Sequence, residues 1–102
     1  MSDPVIVNVP ERHRYEITSE GQLAGFAEYN LVGDAVMFTH TEIQPAYEGK
    51  GMGSALARFA LADVRARSLH VIPVCQFFAA YLRRHPEEQD LVREDIRRAF
   101  KI

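Results

Sequence analysis

The first 43 residues of the chain alternate between hydrophobic and polar positions, a pattern typical of β-strands. Four stretches are rich in β-branched and aromatic residues, and the pairs Glu20-Gly21 and Gly33-Asp34 interrupt them as hairpin turns. The connections are too short for parallel crossovers, so the stretches are predicted to form an antiparallel meander. The predicted strands are 5–9, 13–17, 23–32 and 35–43.

Beyond the fourth strand the hydrophobic period lengthens to that of a helix. Apolar residues recur at helical spacing in three stretches, and a short buried strand, "LHVIPV", separates the first two. His85-Pro86 ends the second helix, because the residue before a proline avoids the helical region. The predicted elements are a helix over 51–67, a strand over 69–74, a helix with the apolar stripe Val74, Phe77, Phe78, Tyr81 and Leu82, and a final helical segment over 87–100.

This order of elements predicts an α+β fold. Four antiparallel strands come first, and two helices come last. Residues 35–74 form a strand-helix-strand unit, which is expected to make one right-handed parallel crossover. The sequence has no internal repeat and no linker long enough to divide it, so residues 1–102 are predicted to form a single domain.

Composition narrows the function only a little. The chain has 102 residues, of which 47% are hydrophobic and 25% charged, and these are ordinary values for a globular domain. A net charge of -2 argues against broad electrostatic capture of nucleic acid. The lone Cys75 rules out an internal disulfide and a cysteine-rich zinc site, and no metal site is expected. With no secretory signal and no apolar run long enough to span a membrane, a cytoplasmic location is expected.

The stretch "YEGKGMGSAL" places three alternating glycines at the entrance to the strongest predicted helix. A glycine weakens a helix by about 1 kcal/mol relative to alanine, so each one needs a local reason. The first N–H groups of a helix lack internal partners, and its N-terminus carries about half a positive charge. A phosphate group satisfies both features, and glycine lets the backbone approach it closely. Lys50 adds a cation to the same loop, and Ser54 adds a hydroxyl.

The common phosphate-binding motifs do not fit this loop. A Walker A loop needs G-x-x-x-x-G-K-[ST], but here Lys50 lies between glycines. A dinucleotide-binding fingerprint needs G-x-G-x-x-G, whereas Gly49, Gly51 and Gly53 alternate strictly. A glycine-rich turn without a ligand, in a small α+β interaction domain, is the alternative interpretation.

The stretch "EIQPAYEGKGMGSAL" resembles motif A of the GNAT acetyltransferases, summarised as Q/R-x-x-G-x-G/A after a hydrophobic strand and a proline. Gly51 and Gly53 match its two glycines, while Glu48 stands where a glutamine or arginine is usual and puts a like charge near the expected pyrophosphate. The stretches "AGFAEY", "HTEI" and "VIPVCQFFAAYLRRHPEEQDLV" extend the resemblance, from Tyr15 to Val92, to the small YidJ-like predicted acetyltransferases. The resemblance implies a GNAT-like mixed sheet.

The same resemblance implies acetyl-coenzyme A as the cofactor. Its pyrophosphate would lie on the backbone N–H groups of residues 49–54. Its pantetheine arm would pair, as a strand does, with the fourth strand around Glu42 to Gln44, where that strand splays from the strand over 69–74. Unpaired strand edges supply hydrogen bonds for such an insertion. The residues implied in cofactor binding are Ile43, Gln44, Glu48, Gly49, Lys50, Gly51, Met52, Gly53 and Ser54.

Acetyl transfer to an amine needs a base for the ammonium proton and an acid for the departing thiolate. The resemblance places Tyr81 where many GNAT enzymes carry that acid, although Tyr81 also fits as a member of the apolar stripe. His40 and Glu42 share one face of the fourth strand and are candidate bases, or else they only hold the strand end. Cys75 offers either an acetyl-cysteine intermediate or a small buried side chain, and direct transfer is expected.

The expected function is therefore an acetyl-coenzyme A-dependent N-acetyltransferase. Its acceptor would be an amine of a small molecule or a protein, and the resemblance implies little acceptor pocket in the chain itself. The alternative is a coenzyme A-binding sensor or interaction module, which needs residues 49–54 but not the four reactive side chains. The stretch "RRHPEEQ" either approaches the cofactor or an acidic acceptor, or forms a solvated helix end.

Overall fold

The computed structural model describes residues 3–102 and confirms the predicted α+β fold. Within this part of the chain there are five strands, three α-helices and three 3-10 turns. The strands are β1 (Val5–Val9), β2 (Arg14–Ser19), β3 (Gln22–Val32), β4 (Ala35–Ile43) and β5 (His70–Pro73). The helices are α1 (Met52–Ala66), α2 (Gln76–Arg84) and α3 (Glu94–Phe100), and the 3-10 turns are Pro10–Arg12, Pro45–Tyr47 and Pro86–Leu91.

The strands form one mixed sheet in the order β1-β2-β3-β4-β5. Strands β1 to β4 pair antiparallel, and β5 pairs parallel to β4, which confirms the predicted meander and the predicted parallel partner. The parallel pairing is short, because it runs only from Ala35 opposite His70 to Phe38 opposite Pro73. Among the described strands, the second half of β4 therefore pairs with β3 alone, and its other edge is left without a strand partner.

One face of the sheet, which we call the inner face, carries the core and holds α1 and α2. The Tyr15 hydroxyl donates a hydrogen bond of 2.7 Å to Asp63 on α1, and the Phe38 ring stacks on Phe78 of α2 with ring centroids 4.0 Å apart. Full burial of a large apolar side chain contributes about 1.5–3 kcal/mol. The inner face includes the buried residues Tyr15, Ile17, Ala27, Tyr29, Val36 and Phe38. Side chains alternate along strands, so the opposite or outer face includes Arg14, Glu16, Phe26, Glu28, Asn30, His40 and Glu42.

The prediction of one helical segment over 87–100 is wrong. The chain forms a 3-10 turn as far as Leu91, is extended at Val92 and Arg93, and begins α3 only at Glu94. Leu91 and Val92 are buried in the core, and Arg93 forms an ion pair with Asp34. Both contacts anchor the chain at the place where the helical path is interrupted.

The prediction that Val74 belongs to the apolar stripe of the second helix is also wrong. Val74 lies before α2 and is 46% exposed, because Cys75 is still extended and the helix begins at Gln76. Phe78, Tyr81 and Leu82 of the stripe are buried as predicted. Within residues 3–102, no helix has the length and apolar character needed to cross a bilayer.

Candidate functional site

Two of the three glycines before α1 hold a backbone conformation that other residues rarely adopt. Gly49 has a φ of +77° and Gly51 a φ of +76°. A Cβ atom on either residue would meet no atom within 4 Å, so the backbone angle, not crowding, selects glycine. The space beside both residues is therefore open for a ligand to approach the backbone.

The backbone N–H groups of residues 49–54 form a row of unpaired donors. Gly51 is the N-cap residue of α1, and no side chain caps this helix. The first hydrogen bond of the helix is donated by Ala55 N–H to the Gly51 carbonyl, at 3.1 Å. No carbonyl within residues 3–102 accepts a hydrogen bond from the N–H groups of 49–54. Such a row at a helix N-terminus has the chemistry that binds phosphate.

At the third position, Gly53, glycine is required for a different reason. It lies inside α1, and a Cβ atom there would be 2.8 Å from Cζ of Phe77 on α2. Contacts under 3 Å are far inside normal packing distances, so a side chain at this position would displace the Phe77 ring. Gly53 thus permits the close contact between the start of α1 and α2.

A cavity of about 220 Å³ lies against this loop. It runs from the glycines toward the end of β4, and Tyr47 and Phe77 form part of its wall. Lys50 stays beside it, with Nζ 5.8 Å from the centroid of the Tyr47 ring. Of the predicted cofactor-binding residues, the lining includes Ile43, Glu48, Gly49, Gly51, Met52, Gly53 and Ser54 but not Gln44 or Lys50.

A β-bulge marks the place where β4 leaves β5. The register with β3 shifts so that Tyr29 lies opposite Phe38 and Glu28 opposite His40, which leaves Thr39 as the extra residue. The last backbone hydrogen bond between the two segments is that of 2.7 Å from Cys75 N–H to the Phe38 carbonyl. Beyond the bulge, no backbone hydrogen bond within residues 3–102 joins β4 to the chain after β5.

The backbone of β4 beyond the bulge offers hydrogen-bonding groups on the open edge. Gln44 N–H donates to the Ala24 carbonyl at 2.8 Å, so Gln44 turns toward β3. In an antiparallel pair every second residue does the same. His40 and Glu42 therefore also turn their backbone groups to β3, and the groups of Thr41 and Ile43 turn to the opposite edge. An extended amide chain on that edge would find its partners at these two residues.

Cys75 lies on the other side of the same gap. Its Sγ is 3.3 Å from Oγ1 of Thr41, and the residue is only 8% exposed. Cys75 is the N-cap residue of α2, but its side chain forms no capping hydrogen bond. The geometry therefore places the thiol in the wall of the gap, in contact with the inner side of β4.

His40 and Glu42 lie together on the outer face. His40 Nε2 is 3.3 Å from Glu42 Oε1, and both side chains are about half exposed, at 55% and 53%. The His40 ring also lies against Phe26 on β3, with centroids 6.0 Å apart. A histidine held between a carboxylate and an aromatic ring, and open to solvent, can accept a proton from an approaching ligand.

Tyr81 is enclosed on α2, at 2% exposure, with its ring stacked on His85 at a centroid distance of 4.0 Å. Its hydroxyl has no hydrogen-bond partner in the described chain. The hydroxyl is nevertheless not sealed, because the only fully buried, unpartnered side-chain polar atom among the described residues is Nδ1 of His70. The tyrosine therefore combines a core position with a hydroxyl that has no protein partner among the described residues.

The four candidate catalytic residues divide into separate groups. Cys75 contacts Thr41, His40 contacts Glu42, and no hydrogen bond within the described chain joins Tyr81 to any of them. The stretch "RRHPEEQ" is occupied by structural contacts: Arg83 donates to the carbonyls of Phe100 and Lys101 at the end of α3.

Four residues shape this region although the sequence analysis gave them no part in it, namely Gly25, Thr39, Thr41 and Phe77. A Cβ atom on Gly25 would lie 2.5 Å from Cδ1 of Ile43, so this glycine makes room for the cavity wall. Thr41 could have been found from the sequence. It lies between His40 and Glu42 on the predicted strand, and alternation turns its side chain to the opposite face. No signal in a single sequence marks the bulge at Thr39 or the contact between Gly53 and Phe77.

Comparison with known proteins gives a family match and similar folds. The family model of the GCN5-related N-acetyl-transferases matches residues 14–91. A GCN5-like protein from Staphylococcus aureus, described as a candidate N-acetyltransferase and solved by NMR, superimposes with a TM-score of 0.70 at 22% identity, over 91% of each chain. That likeness concerns the fold.

A second solved structure is the ribosomal-protein-S18-alanine N-acetyltransferase from Escherichia coli, with a TM-score of 0.56 and 25% identity. The superposition covers 60% of this chain and 41% of that one, so it spans less than half of that enzyme. No curated protein sequence matches the chain significantly.

The family match covers most of the chain, including the loop at residues 49–54, the bulge in β4 and the start of α2. The mixed sheet and the short parallel pair agree with it. The chain belongs to the GCN5-related N-acetyltransferase (GNAT) family of acetyltransferases.

Proposed function

We propose that this protein is an acetyl-coenzyme A-dependent N-acetyltransferase that transfers the acetyl group directly to an amine. The proposal treats residues 1–102 as one catalytic domain and places it with the small YidJ-like members of the family. The row of unpaired N–H donors at residues 49–54 is the observation that carries it. The expected cytoplasmic location stays a prediction.

Acetyl-coenzyme A fits the donors that the chain offers. The pyrophosphate takes the N–H groups of residues 49–54, with Lys50 as an adjacent cation and the hydroxyl of Ser54 as a further donor. The pantetheine amides pair with the open edge of β4 at Thr41 and Ile43. This assignment leads the thioester along the gap to the bulge at Thr39, where β4 and Cys75 meet.

In this scheme His40 on the outer face is the base and Tyr81 on α2 is the acid. His40, oriented by Glu42, takes a proton from the acceptor ammonium on the outer face. The amine nitrogen forms the new bond to the acetyl carbon as the carbon–sulfur bond breaks, and Tyr81 gives its proton to the thiolate. Of the two protons that the ammonium loses, one leaves through His40 to solvent and the other restores the Tyr81 hydroxyl.

Cys75 has a supporting role in this scheme. Its Sγ faces Thr41, while the nearest candidate base, His40, points to the opposite face of the strand. A covalent carrier needs a base within hydrogen-bond reach of the thiol. We assign Cys75 to the wall of the gap.

A coenzyme A-binding module is the second candidate, and the separation of the reactive groups favours it. No hydrogen bond within residues 3–102 joins Tyr81 to His40, Glu42 or Cys75. A binder needs the loop and the open edge but none of these side chains.

The test is a titration of the protein with acetyl-coenzyme A, followed by thermal unfolding and by NMR of the backbone amides. Ligand at 100 times its Kd adds about 2.7 kcal/mol, which raises the Tm of a domain this size by on the order of 10 °C. The amides of residues 49–54 are expected to shift most. An unchanged Tm and unchanged amides at millimolar ligand would refute both candidates, and release of thiol in a screen of amine acceptors separates the enzyme from the binder.

A further inference from the structure

A cavity of about 540 Å³ lies between α2 and α3, where the chain leaves β5. Its size is typical of sites that bind small molecules. The lining comes from Pro73 and Val74 at the end of β5, from one side of α2, and from residues 99–101 at the end of α3. This lining and that of the cavity beside the glycine loop, both drawn from the described residues, have no residue in common, so the two cavities are separate.

One side of α2 forms a wall of this cavity. Gln76, Ala79, Ala80 and Arg83 occupy positions i, i+3, i+4 and i+7, so they form one stripe along the helix. At a rise of 1.5 Å per residue, the stripe is about 10 Å long. Tyr81 lies at i+5, on another side of α2, and is buried in the core. The wall of the cavity is therefore turned away from the proposed acid.

Small side chains leave this space open. Ala79 and Ala80 on α2 and Ala99 on α3 contribute only methyl groups to the lining. Val74 and Phe100 contribute larger apolar side chains, and Val74 is 46% exposed. An apolar chain placed against these groups would remove their surface from water, which is favourable. This part of the lining therefore suits the apolar part of a ligand.

The charged residues of the lining are two cations, Arg83 and Lys101. Arg83 donates through Nε to the Lys101 carbonyl at 3.1 Å and through Nη2 to the Phe100 carbonyl at 2.7 Å, which holds the end of α3 beside α2. A helix C-terminus carries only about half a negative charge, so these carbonyls do not neutralise both cations. No ion pair with an Asp or Glu side chain in residues 3–102 includes Arg83 or Lys101.

We propose that this cavity binds a small carboxylate with an apolar chain, at a site outside the acetyl-transfer machinery. The carboxylate lies between Arg83 and Lys101, and the chain follows the alanines of α2 toward Val74. A carboxylate accepts charge-assisted hydrogen bonds from both cations. A neutral alcohol of the same shape leaves the two cations unmatched, and an ammonium is repelled by them.

The experiment is NMR titration of the isotope-labelled protein at neutral pH with hexanoate, which is ionised there. The comparison probes are n-hexanol, which lacks the charge, and acetate, which lacks the chain. Hexanoate is expected to shift the amides of Val74, Ala80, Ala99 and Lys101, and each comparison probe should bind more weakly. Lys101→Gln should weaken hexanoate binding about two- to fivefold, because it removes an exposed charge contact. The matched control is Arg84→Gln, which removes a cation next to the cavity but outside its lining and should hardly change the affinity at physiological salt.

A second variant, Ala99→Leu, tests the apolar part of the site. Ala99 is exposed, so leucine should be tolerated by the fold, and its larger side chain should take up the space and abolish the hexanoate shifts. A melting curve checks that the variant is folded. The assignment is overturned if hexanoate at tens of millimolar leaves the cavity amides of the unmodified protein unchanged, or if n-hexanol or acetate binds as tightly as hexanoate. Equal hexanoate affinity of Lys101→Gln and Arg84→Gln overturns it as well, and so does unchanged affinity of Ala99→Leu.

Discussion

The loop at residues 49–54 and the junction between β4 and α2 are both parts of the candidate site, but they are built in different ways. The loop offers backbone N–H groups, and the positive φ angles of Gly49 and Gly51 fix the direction of these groups. The junction, which comprises His40, Glu42, Cys75 and Tyr81, depends on where four side chains point. A backbone site needs only a local conformation, whereas a side-chain site needs the correct packing of several elements.

This difference explains why the loop is complete in the structure while the junction is divided. The donors of the loop are in place through the geometry of a helix start. At the junction the bulge at Thr39 sends His40 to the outer face, and Thr41 faces Cys75 on the inner side. A ligand in the gap would lie between these two groups. The proposed function assigns binding to the first region and chemistry to the second.

Tyr81→Phe should give the largest effect and tests the junction alone. If the hydroxyl protonates the leaving thiolate, turnover falls by about 10²–10⁴ while acetyl-coenzyme A affinity and Tm hardly change. The hydroxyl has no protein partner in the described chain, so its loss should cost little stability. Steady-state rates, a ligand titration and a melting curve measure the three quantities.

Tyr15→Phe is the matched control for that variant. The Tyr15 hydroxyl donates to Asp63 at 2.7 Å, so its removal should cost about 1–3 kcal/mol of stability and leave turnover intact. A Tyr81→Phe protein that binds acetyl-coenzyme A and works at full rate would exclude the acid role and favour the coenzyme A-binding module.

Gly51→Val should give the second-largest effect, and it tests the loop alone. Valine strains a backbone angle of +76° and covers the donors with a branched side chain, so acetyl-coenzyme A affinity should fall by about 100-fold or more. Gly33 shares the relevant property, since its φ is +59° and a Cβ atom there also meets nothing within 4 Å. Gly33→Val should therefore lose comparable stability and keep its affinity. Similar affinity losses in both variants would mean that general destabilisation, not the loop, is responsible.

The sequence predicts the loop better than the junction for the same physical reason. Glycine is selected at Gly49 and Gly51 by the angle of its own backbone, which is a local property visible in one sequence. The bulge at Thr39 depends on the register between β3 and β4, and the contact between Cys75 and Thr41 depends on how β5 ends. Neither leaves a local pattern.

The break in the final helical segment has the same origin. Helical spacing continues through residues 87–100, but burial of Leu91 and Val92 and the ion pair between Arg93 and Asp34 compete with the helix. Tertiary contacts of this kind override a favourable local pattern. The strands and the first two helices were predictable because pattern and packing agree there.

Gly53→Ala should give the smallest effect and tests the point where the two regions touch. Helix propensity alone predicts that alanine stabilises α1 by up to about 1 kcal/mol. The new Cβ atom would, however, lie 2.8 Å from the ring of Phe77, and overpacking of this kind costs about 1–3 kcal/mol. Packing should win by a small margin, so the free energy of unfolding decreases. Denaturant unfolding of the double variant Gly53→Ala, Phe77→Leu, compared with Phe77→Leu alone, should recover the stabilisation by alanine, because the ring edge is gone. If Gly53→Ala by itself stabilises the protein, the contact between α1 and α2 does not constrain this position, and the third glycine has to be explained by the ligand.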